Sequence, residues 1–402
     1  MHLHPLSRTL DRRWQPLALA VAASLALAAC GGGDDGNDDA NPLGITAVKV
    51  FGDSLSDSGT FAGLPGQGRT FTVQGTRNEP TVLWVEHVTA AYGLGAQCPV
   101  YKLNGTAFAP NSKAGCTNYA IGGGRINNPL DSGGALAPLS IKKQLQDGAA
   151  AGWAKGDLLL IDGGGNDAAD LVGAYLNAPS DRGVKYLALL RTQLSEAALS
   201  QVMGRPNDLE TAGGLFMQAL ADGFVAEIRA SALDKGAQHV VVANMPTLTY
   251  TPRFQAVLDR IADANGGGVP GTTARAQAEA LFKGWVNAFN QRLAANLAGD
   301  KRVQVIDVAG RFTDFMVRPS AYGLSNVTLP VCGADGVTVL PKRDFASCTA
   351  DALSGTPPPP GAPAGRSWWE RFMFADSFHP TPYGHALMAD QVIQVLDDAD
   401  WL

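Results

Sequence analysis

Three residues of this sequence have the types and local settings of a nucleophile, a general base and an orienting acid. Ser54 follows an apolar segment and a Gly52-Asp53 turn, so its hydroxyl can stand at the open end of a sheet. A serine hydroxyl is a weak nucleophile until a base takes its proton, and histidine is the usual base. His379 follows Asp376 by three residues, and that carboxylate can hold the imidazole in the required tautomer. The pattern predicts attack of Ser54 on a carbonyl carbon.

Three other histidines beyond the amino-terminal segment are weaker candidates for the base. His87 falls in an apolar helical segment and is expected to pack in the core. His239 opens an apolar strand, away from the carboxyl ends of the strands, and His385 lies on the last predicted helix. We therefore predict that His379 is the base.

Acyl transfer also needs hydrogen-bond donors for the oxyanion that forms on the carbonyl. The candidates are the backbone N–H of Ser54, the backbone N–H of Gly123 and the side-chain amide of Asn166. Gly123 has no Cβ, so its backbone can approach a ligand closely. Asn166 directly follows a strongly apolar strand, which would place it at the same sheet edge as Ser54.

Three acidic residues in these segments are expected to have structural roles. Asp53 braces the turn before Ser54, and Asp167 caps and holds the loop of Asn166. Asp57 is predicted to cap a helix that follows Ser54, because acids are favoured near helix amino termini. A catalytic role for Asp57 is the alternative.

Short apolar strands alternate with amphipathic helices along most of the chain. This alternation predicts an α/β fold, a three-layer α/β/α sandwich with a parallel sheet of about five strands. The predicted strands are 45–51, 118–121, 157–161, 239–243 and 303–307. Residues 180–235 and the irregular segment 310–370 are predicted insertions into a single domain, 44–402.

Four segments carry the candidate residues, in this chain order: Gly52-Asp53-Ser54-Leu55-Ser56-Asp57, Asn118-Tyr119-Ala120-Ile121-Gly122-Gly123, Gly165-Asn166-Asp167, and Asp376-Ser377-Phe378-His379-Pro380. In this order they resemble the four blocks of the SGNH/GDSL hydrolase superfamily, and their longer forms resemble its branch of secreted esterases, lipases and glycerophospholipid acyltransferases.

The resemblance implies a flavodoxin-like three-layer fold and cofactor-free ester hydrolysis through an acyl-enzyme. It assigns the triad to Ser54, Asp376 and His379, and the oxyanion hole to Ser54, Gly123 and Asn166. A phospholipase or acyltransferase of the same fold is the alternative function. A surface lipoprotein that only binds a ligand is a further alternative, which the intact set of five residues disfavours.

Aromatic residues cluster before and within the last block. Such rows usually belong to a core, although some of them could line an acyl pocket. The residues are Trp368, Trp369, Phe372, Phe374 and Phe378.

The amino-terminal segment has the architecture of a secretory signal peptide. A basic region with Arg8, Arg12 and Arg13 precedes the apolar run 17–29, which is too short to span a membrane. Its Leu-Ala-Ala-Cys ending resembles the lipobox of bacterial lipoproteins, which implies removal of residues 1–29 and lipidation of Cys30. An ordinary signal peptide cut near residue 29 is the alternative.

The residues that follow Cys30 favour the lipoprotein interpretation. Residues 30–43 are rich in glycine and aspartate and are typical of a solvated tether. We expect an exported protein that is anchored to the bacterial cell envelope by lipid. Gly31, rather than aspartate, follows the cysteine, which favours the outer membrane in enteric-type bacteria.

The four remaining cysteines are Cys98, Cys116, Cys332 and Cys348. An even number in an oxidising compartment predicts two disulfides. Of three possible pairings we favour the local one, Cys98–Cys116 and Cys332–Cys348; free buried thiols are the alternative. Metal binding is disfavoured because the chain has no Cys-x-x-Cys and no nearby histidine cluster.

Composition limits the possible partners. The 402 residues are 46% hydrophobic and 17% charged, which is typical of a globular protein with a sizeable core. A net charge of −6 without a Lys/Arg run disfavours nucleic acid. The chain lacks a P-loop and a dinucleotide-binding glycine pattern. We expect a monomer that needs no cofactor or metal and acts on an ester substrate.

Overall fold

The computed structural model of the protein describes residues 41–76, 79–127, 134, 137–333 and 344–402. The predicted signal peptide 1–29, Cys30 and most of the tether therefore lie outside the described residues. The described residues all belong to one unit, Asp39–Leu402.

The described residues contain eight strands: β1 (Ala47–Phe51), β2 (Tyr101–Asn104), β3 (Ala107–Pro110), β4 (Asp157–Ile161), β5 (His239–Ala243), β6 (Val303–Ile306), β7 (Asn326–Pro330) and β8 (Phe372–Phe374). A central sheet has the order β1-β4-β5-β6, with every neighbouring pair parallel. The pair β2-β3 is antiparallel and the pair β7-β8 is parallel. The parallel order brings the carboxyl ends of β1 and β4 to one edge of the sheet.

The prediction of a fifth strand at 118–121 is wrong. This segment runs beside β1, with Tyr119 N–H donating to Val50 O at 2.7 Å and Ile121 N–H to Gly52 O at 3.2 Å. It makes only isolated bridges, from Asn118 to Val50 and to Pro99, because β1 ends at Phe51 and the segment turns at Gly123 (φ +78°). The segment therefore brings its glycine turn to the end of β1 without adding a regular strand.

Eleven α-helices occur in the described ranges: α1 (Trp84–Ala91), α2 (Ile141–Ala151), α3 (Gly165–Asp181), α4 (Val184–Leu190), α5 (Glu196–Val202), α6 (Asp208–Ser231), α7 (Pro252–Ala264), α8 (Gly268–Leu297), α9 (Val308–Val317), α10 (Ala350–Ser354) and α11 (Pro382–Asp398). Three 3₁₀ turns accompany them, at Leu233–Lys235, Leu248–Tyr250 and Pro319–Tyr322.

The two faces of the central sheet bury different sets of helices, because successive strand residues point to opposite sides. Val50 and Leu160 join a core cluster with α1 and α11. Phe51 and Ile161 join the larger cluster with α2, α3, α6 and α8. The predicted α/β class and the three-layer α/β/α arrangement are confirmed, with four strands in the central sheet.

The two predicted insertions differ in regularity. The first, 180–235, is helical and ends in the long helix α6, which packs against α8. The second, predicted as irregular over 310–370, contains most of α9 together with β7 and α10. An Asp307 side chain that accepts from Gly310 N–H caps α9, and buried Phe312 and Phe315 anchor it. Phe312 and Phe315 are at positions i and i+3, a spacing that places both on one face of a helix.

The four cysteines of the described residues lie in the two local pairs that were predicted. Cys98 is bonded to Cys116 and Cys332 to Cys348, with Cα atoms 4.9 Å and 6.0 Å apart. The first pair joins the segments that flank the β2-β3 hairpin. The second joins the end of β7 to the segment before α10. None of the helices in the described segments is long and apolar enough to cross a membrane.

Candidate active site

His379 lies within hydrogen-bond distance of both Ser54 and Asp376, although Ser54 and His379 are 325 residues apart. Ser54 Oγ is 2.8 Å from His379 Nε2. On the other side of the ring, His379 Nδ1 is 2.9 Å and 3.0 Å from the two carboxylate oxygens of Asp376. Ser54 follows β1, and the other two residues lie in the loop between β8 and α11.

The loop between β8 and α11 is built around the Asp376 carboxylate. Its Oδ1 accepts the backbone N–H groups of Phe378, at 2.8 Å, and of His379, at 2.6 Å. Thr72 Oγ1 donates to Pro380 O at 2.7 Å, and the Thr381 hydroxyl caps α11. The Asp376 carboxylate therefore contacts the His379 imidazole and also fixes the backbone that carries this imidazole.

The two ionisable groups of this loop shift each other's pKa. Burial alone would lower the pKa of His379, but the charge of Asp376 and its hydrogen bond outweigh burial, so the pKa lies above its ordinary value. Burial alone would raise the pKa of Asp376. Its attraction to His379 and the bonds that its carboxylate accepts outweigh burial, and the pKa is lowered. The loop is thus arranged to stabilise an imidazolium at His379.

The segments that carry the three candidate oxyanion donors are hydrogen-bonded to one another beyond the end of β1. The backbone N–H groups of Ser54 and Gly123 contact no acceptor among the residues that the structure describes. Gly123 has φ +78°, a conformation that glycine adopts without strain. The Asn166 amide, in the first turn of α3, donates to Gly124 O at 2.9 Å and more weakly to Asp53 Oδ2 at 3.4 Å.

Aromatic rings enclose the His379 imidazole on several sides. The ring centroids of Phe71, Phe345 and Phe378 lie 5.5, 5.6 and 5.6 Å from that of His379. Phe71 and Phe345 were not among the predicted site residues, because they come from irregular segments with no periodic signal. The rings limit the access of water to the base.

Residues 48–392 match the family described as GDSL-like Lipase/Acylhydrolase. The chain belongs to this family. A related protein is "Lipase 1" of Photorhabdus luminescens, which is 27% identical over 383 residues. The alignment covers 87% of this chain and 50% of the relative, so the chain spans half the length of that protein. The predicted membership of the GDSL family is confirmed.

Asp57 of this GDSL family member does not cap a following helix as predicted. The chain turns at Gly59 (φ +130°), and the first helix after it in the described residues is α1. One Asp57 oxygen accepts the N–H groups of Gly59 and Thr60, both at 2.8 Å. The other accepts Gly122 N–H at 2.8 Å. Asp57 therefore ties the nucleophile turn to the glycine turn that carries Gly123.

Asp53 braces the nucleophile turn as predicted, but Asp167 does not cap α3, whose N-cap is Gly164 with no side-chain cap. Asp53 Oδ1 accepts Leu55 N–H at 3.0 Å across the nucleophile turn. Asp167 lies in the first turn of α3 and accepts Ile126 N–H at 3.0 Å. Burial is the main cause that raises the pKa of Asp167, to about 7.

A further buried carboxylate, Asp162, contacts the nucleophile turn and was not predicted. Its side chain accepts the Ser56 hydroxyl and, at 3.4 Å, the backbone N–H of Asp53. Trp84 Nε1 donates to the Ser56 hydroxyl at 3.1 Å. The backbone passes so close that a Cβ on Gly52 would lie 2.3 Å from Asp162 Oδ2. An acid at the end of an apolar strand was the signal that could have revealed it.

Burial, and then the neighbouring Asp53 charge, raise the pKa of Asp162 to about 8. A carboxyl whose pKa is raised in the folded state contributes stability at low pH that is lost as the pH rises toward the folded value. We therefore expect Asp162→Asn to raise the free energy of unfolding relative to the wild type, by a margin that widens from pH 5 to pH 8. Urea denaturation followed by tryptophan fluorescence measures it.

Asp263→Asn is the matched control for this prediction, because Asp263 is exposed on α7. The free energy of unfolding of Asp263→Asn should equal that of the wild type at every pH. Equal pH dependence in Asp162→Asn and the wild type would show that Asp162 is already ionised in the folded protein.

A mainly apolar cleft adjoins the nucleophile turn. Its polar wall includes Asp53, Asp162 and Asn244. Its apolar lining comes from several elements: Leu55, Trp84, Leu248, Phe312, Phe374, Phe378 and Met388. An apolar lining of this kind suits an acyl chain.

The predicted aromatic row divides between this cleft and the core. Phe374 and Phe378 line the cleft. Trp368, Trp369 and Phe372 belong to a separate buried cluster that also contains the Cys332–Cys348 pair. Within the described ranges no group of three or more His, Cys, Asp or Glu side chains is placed to hold a metal ion.

Proposed function

We propose that the protein is a carboxylic ester hydrolase that forms a covalent acyl-enzyme on Ser54. The observation that carries the proposal is the 2.8 Å contact between Ser54 Oγ and His379 Nε2, with Asp376 on the opposite ring nitrogen. This is the relay that a serine nucleophile needs, because Nε2 can accept the hydroxyl proton only while Nδ1–H is held by an acceptor. Membership of the lipase/acylhydrolase family supports it.

In the first half-reaction Ser54 Oγ attacks the ester carbonyl while its proton moves to His379 Nε2. The N–H groups of Ser54 and Gly123 and the Asn166 amide would stabilise the oxyanion. Asn166 can turn toward it by giving up its weaker bond, the 3.4 Å contact with Asp53. Collapse of the tetrahedral intermediate breaks the bond to the alcohol, which takes the proton from His379.

In the second half-reaction a water molecule replaces the alcohol. His379 removes a proton from the water as it attacks the acyl carbonyl, and the same three donors stabilise the second oxyanion. The proton then passes to Ser54 Oγ as the carboxylic acid leaves. Throughout, the acyl chain would occupy the apolar cleft.

A panel of p-nitrophenyl esters with acyl chains of two to sixteen carbons tests the proposal. We expect hydrolysis with an optimum set by the length of the cleft, because each buried CH₂ that fits contributes about 0.8 kcal/mol. Release of p-nitrophenol by the purified, disulfide-bonded protein is the measurement. A folded protein that hydrolyses none of these esters would overturn the proposal.

Acyl transfer to an alcohol is the second candidate function. The rings of Phe71, Phe345 and Phe378 around His379 favour it, because excluding water from the base favours another acceptor. The ratio of ester to acid products, with and without an added alcohol, separates the two functions.

We also propose that the protein is exported and held at the bacterial cell envelope, at the outer membrane, as a monomer. The signal-like residues 1–29, the lipobox cysteine Cys30 and the Gly/Asp-rich tether support this. Several acyl chains on one cysteine would anchor stably, whereas one chain alone binds a membrane only reversibly.

A further inference from the structure

A small internal cavity lies behind the wall of the apolar cleft, and we call it the rear cavity. Residues of α3, α7 and α8 and of the 3₁₀ turn at Leu248–Tyr250 enclose it, and all of them except Thr249 are apolar. The cleft and the rear cavity share one lining residue, Leu248, whose side chain is buried. Leu248 therefore stands between the two spaces.

Residues of the two spaces lie side by side around Leu248. On α3, Gly165 lines the cleft, and Ala168, one helical turn later, lines the rear cavity. A Cβ on Gly165 would lie 3.9 Å from Leu248 Cδ2. The ring of Phe254, in the rear cavity, stacks on the ring of Phe378, in the cleft, with centroids 6.5 Å apart. The wall between the two spaces is thus a single layer of side chains.

The cleft leads from the catalytic residues to this wall. It is lined by residues that adjoin the nucleophile, the oxyanion donor Asn166 and the base in sequence, namely Asp53, Leu55, Gly165 and Phe378. Gly165 in turn adjoins Leu248. An acyl chain that is bonded to Ser54 and passes Gly165 therefore reaches the Leu248 side chain.

The backbone that carries Leu248 is held by bonds that do not involve its side chain. Leu248 O accepts the Thr251 N–H at 2.9 Å and the Thr251 hydroxyl at 2.8 Å. Gln255 Nε2 donates to Thr249 O at 2.6 Å. Truncation of the Leu248 side chain should therefore open the wall and leave the 3₁₀ turn in place.

Two departures from ordinary packing coincide behind Leu248. Protein interiors are close-packed, yet the rear cavity lies within the largest core cluster. Buried hydroxyls usually have a hydrogen-bond partner, yet the Thr249 hydroxyl is buried without one among the described residues. Local rules of stability are most often broken at functional sites, which favours a functional interpretation of this region.

We propose that Leu248 sets the upper limit of acyl chain length. The acyl chain of the best substrate ends against the Leu248 side chain, and the rear cavity is a latent extension of the acyl site. A longer chain would have to displace Leu248 from the core cluster that it shares with α3 and α8. The proposal rests on the proposed ester hydrolase function and adds to it the residue that ends the acyl site.

The test measures the variant Leu248→Ala with the p-nitrophenyl ester series. We expect its optimum to move to longer chains. For an ester about two carbons beyond the wild-type optimum, kcat/KM should be about tenfold higher than in the wild type, because each buried CH₂ contributes a factor of about four. For p-nitrophenyl acetate, whose acyl group is too short to reach Leu248, kcat/KM should equal the wild-type value.

Leu258→Ala is the matched control. Leu258 is fully buried on α7 and lines neither the cleft nor the rear cavity. This variant loses a leucine side chain from the core as Leu248→Ala does, and it should keep the wild-type optimum.

The double variant Leu248→Ala/Ala168→Leu tests whether the rear cavity is the space that the longer chain enters. It conserves the total side-chain volume, and the new leucine on α3 would fill the rear cavity. We expect the optimum to return to that of the wild type. Urea denaturation establishes that each variant is folded. If Leu248→Ala is unfolded, Leu248→Val takes its place, with a smaller shift expected in the same direction.

Three results would overturn the proposal. The first is a folded Leu248 variant with the wild-type optimum, and the second is an equal shift in Leu258→Ala. The third is a longer optimum that persists in the double variant. Failure of the ester hydrolase function looks different, because the wild type would then hydrolyse none of the esters, p-nitrophenyl acetate included.

Discussion

Replacing Ser54 by alanine will lower kcat for ester hydrolysis by a factor on the order of 10⁶, the loss typical of removing a serine nucleophile. The reason is that, among the residues that the structure describes, Ser54 supplies the one hydroxyl within hydrogen-bond distance of His379 Nε2, at 2.8 Å. The residual rate comes from binding and from the oxyanion donors acting on water. The measurement is hydrolysis of the best p-nitrophenyl ester, together with covalent labelling by a fluorophosphonate, which should disappear.

Ser58→Ala is the matched control for Ser54→Ala. Ser58 lies in the same turn and is buried, and its hydroxyl has no hydrogen-bond partner, so its removal leaves no other group unpaired. This variant should keep both hydrolysis and labelling. Undiminished labelling in Ser54→Ala would assign the nucleophile to another residue and refute the proposed mechanism.

Replacing Asp376 by asparagine is expected to lower kcat by about 10⁴-fold, as in other serine triads, while the loop stays folded. The asparagine oxygen can still accept the N–H groups of Phe378 and His379 that Asp376 Oδ1 accepts now. The new NH₂ group, however, would donate to His379 Nδ1. That favours the tautomer with the proton on Nε2, which cannot accept a proton from Ser54.

Asp390→Asn, an exposed change on α11, controls for the lost charge and should retain wild-type kcat. Circular dichroism and urea denaturation should show that Asp376→Asn is folded. If folded Asp376→Asn kept kcat within about tenfold of the wild type, Asp376 would not be the residue that orients His379.

The parts of the site that follow strands could be predicted from sequence. Ser54 and Asn166 each follow a buried parallel strand, so the topology alone brings them to one edge. His379 was singled out because an acid stands three residues before it in a loop. The structure then places it at Ser54, although no local pattern relates the two residues.

The parts that depend on irregular backbone could not be predicted. Phe71 and Phe345 reach His379 from segments without helical or strand period. Asp57 was expected to cap a helix, but the chain turns at Gly59 instead. Asp162 was not predicted because its importance depends on its contacts with Ser56 and Asp53. These two residues follow β1, whereas Asp162 follows β4, and the sequence of one strand does not show which side chains the neighbouring strand places beside it.

The distance along the chain between Ser54 and His379 has a consequence for the order of folding. Contacts between residues 325 positions apart carry a large loop-closure cost and form late relative to local helices and turns. A chain still being synthesised holds its serine long before its histidine exists. Reactivity of Ser54 toward a fluorophosphonate would therefore rise only at the end of refolding. The time course of this labelling would then measure when the whole chain has finished folding.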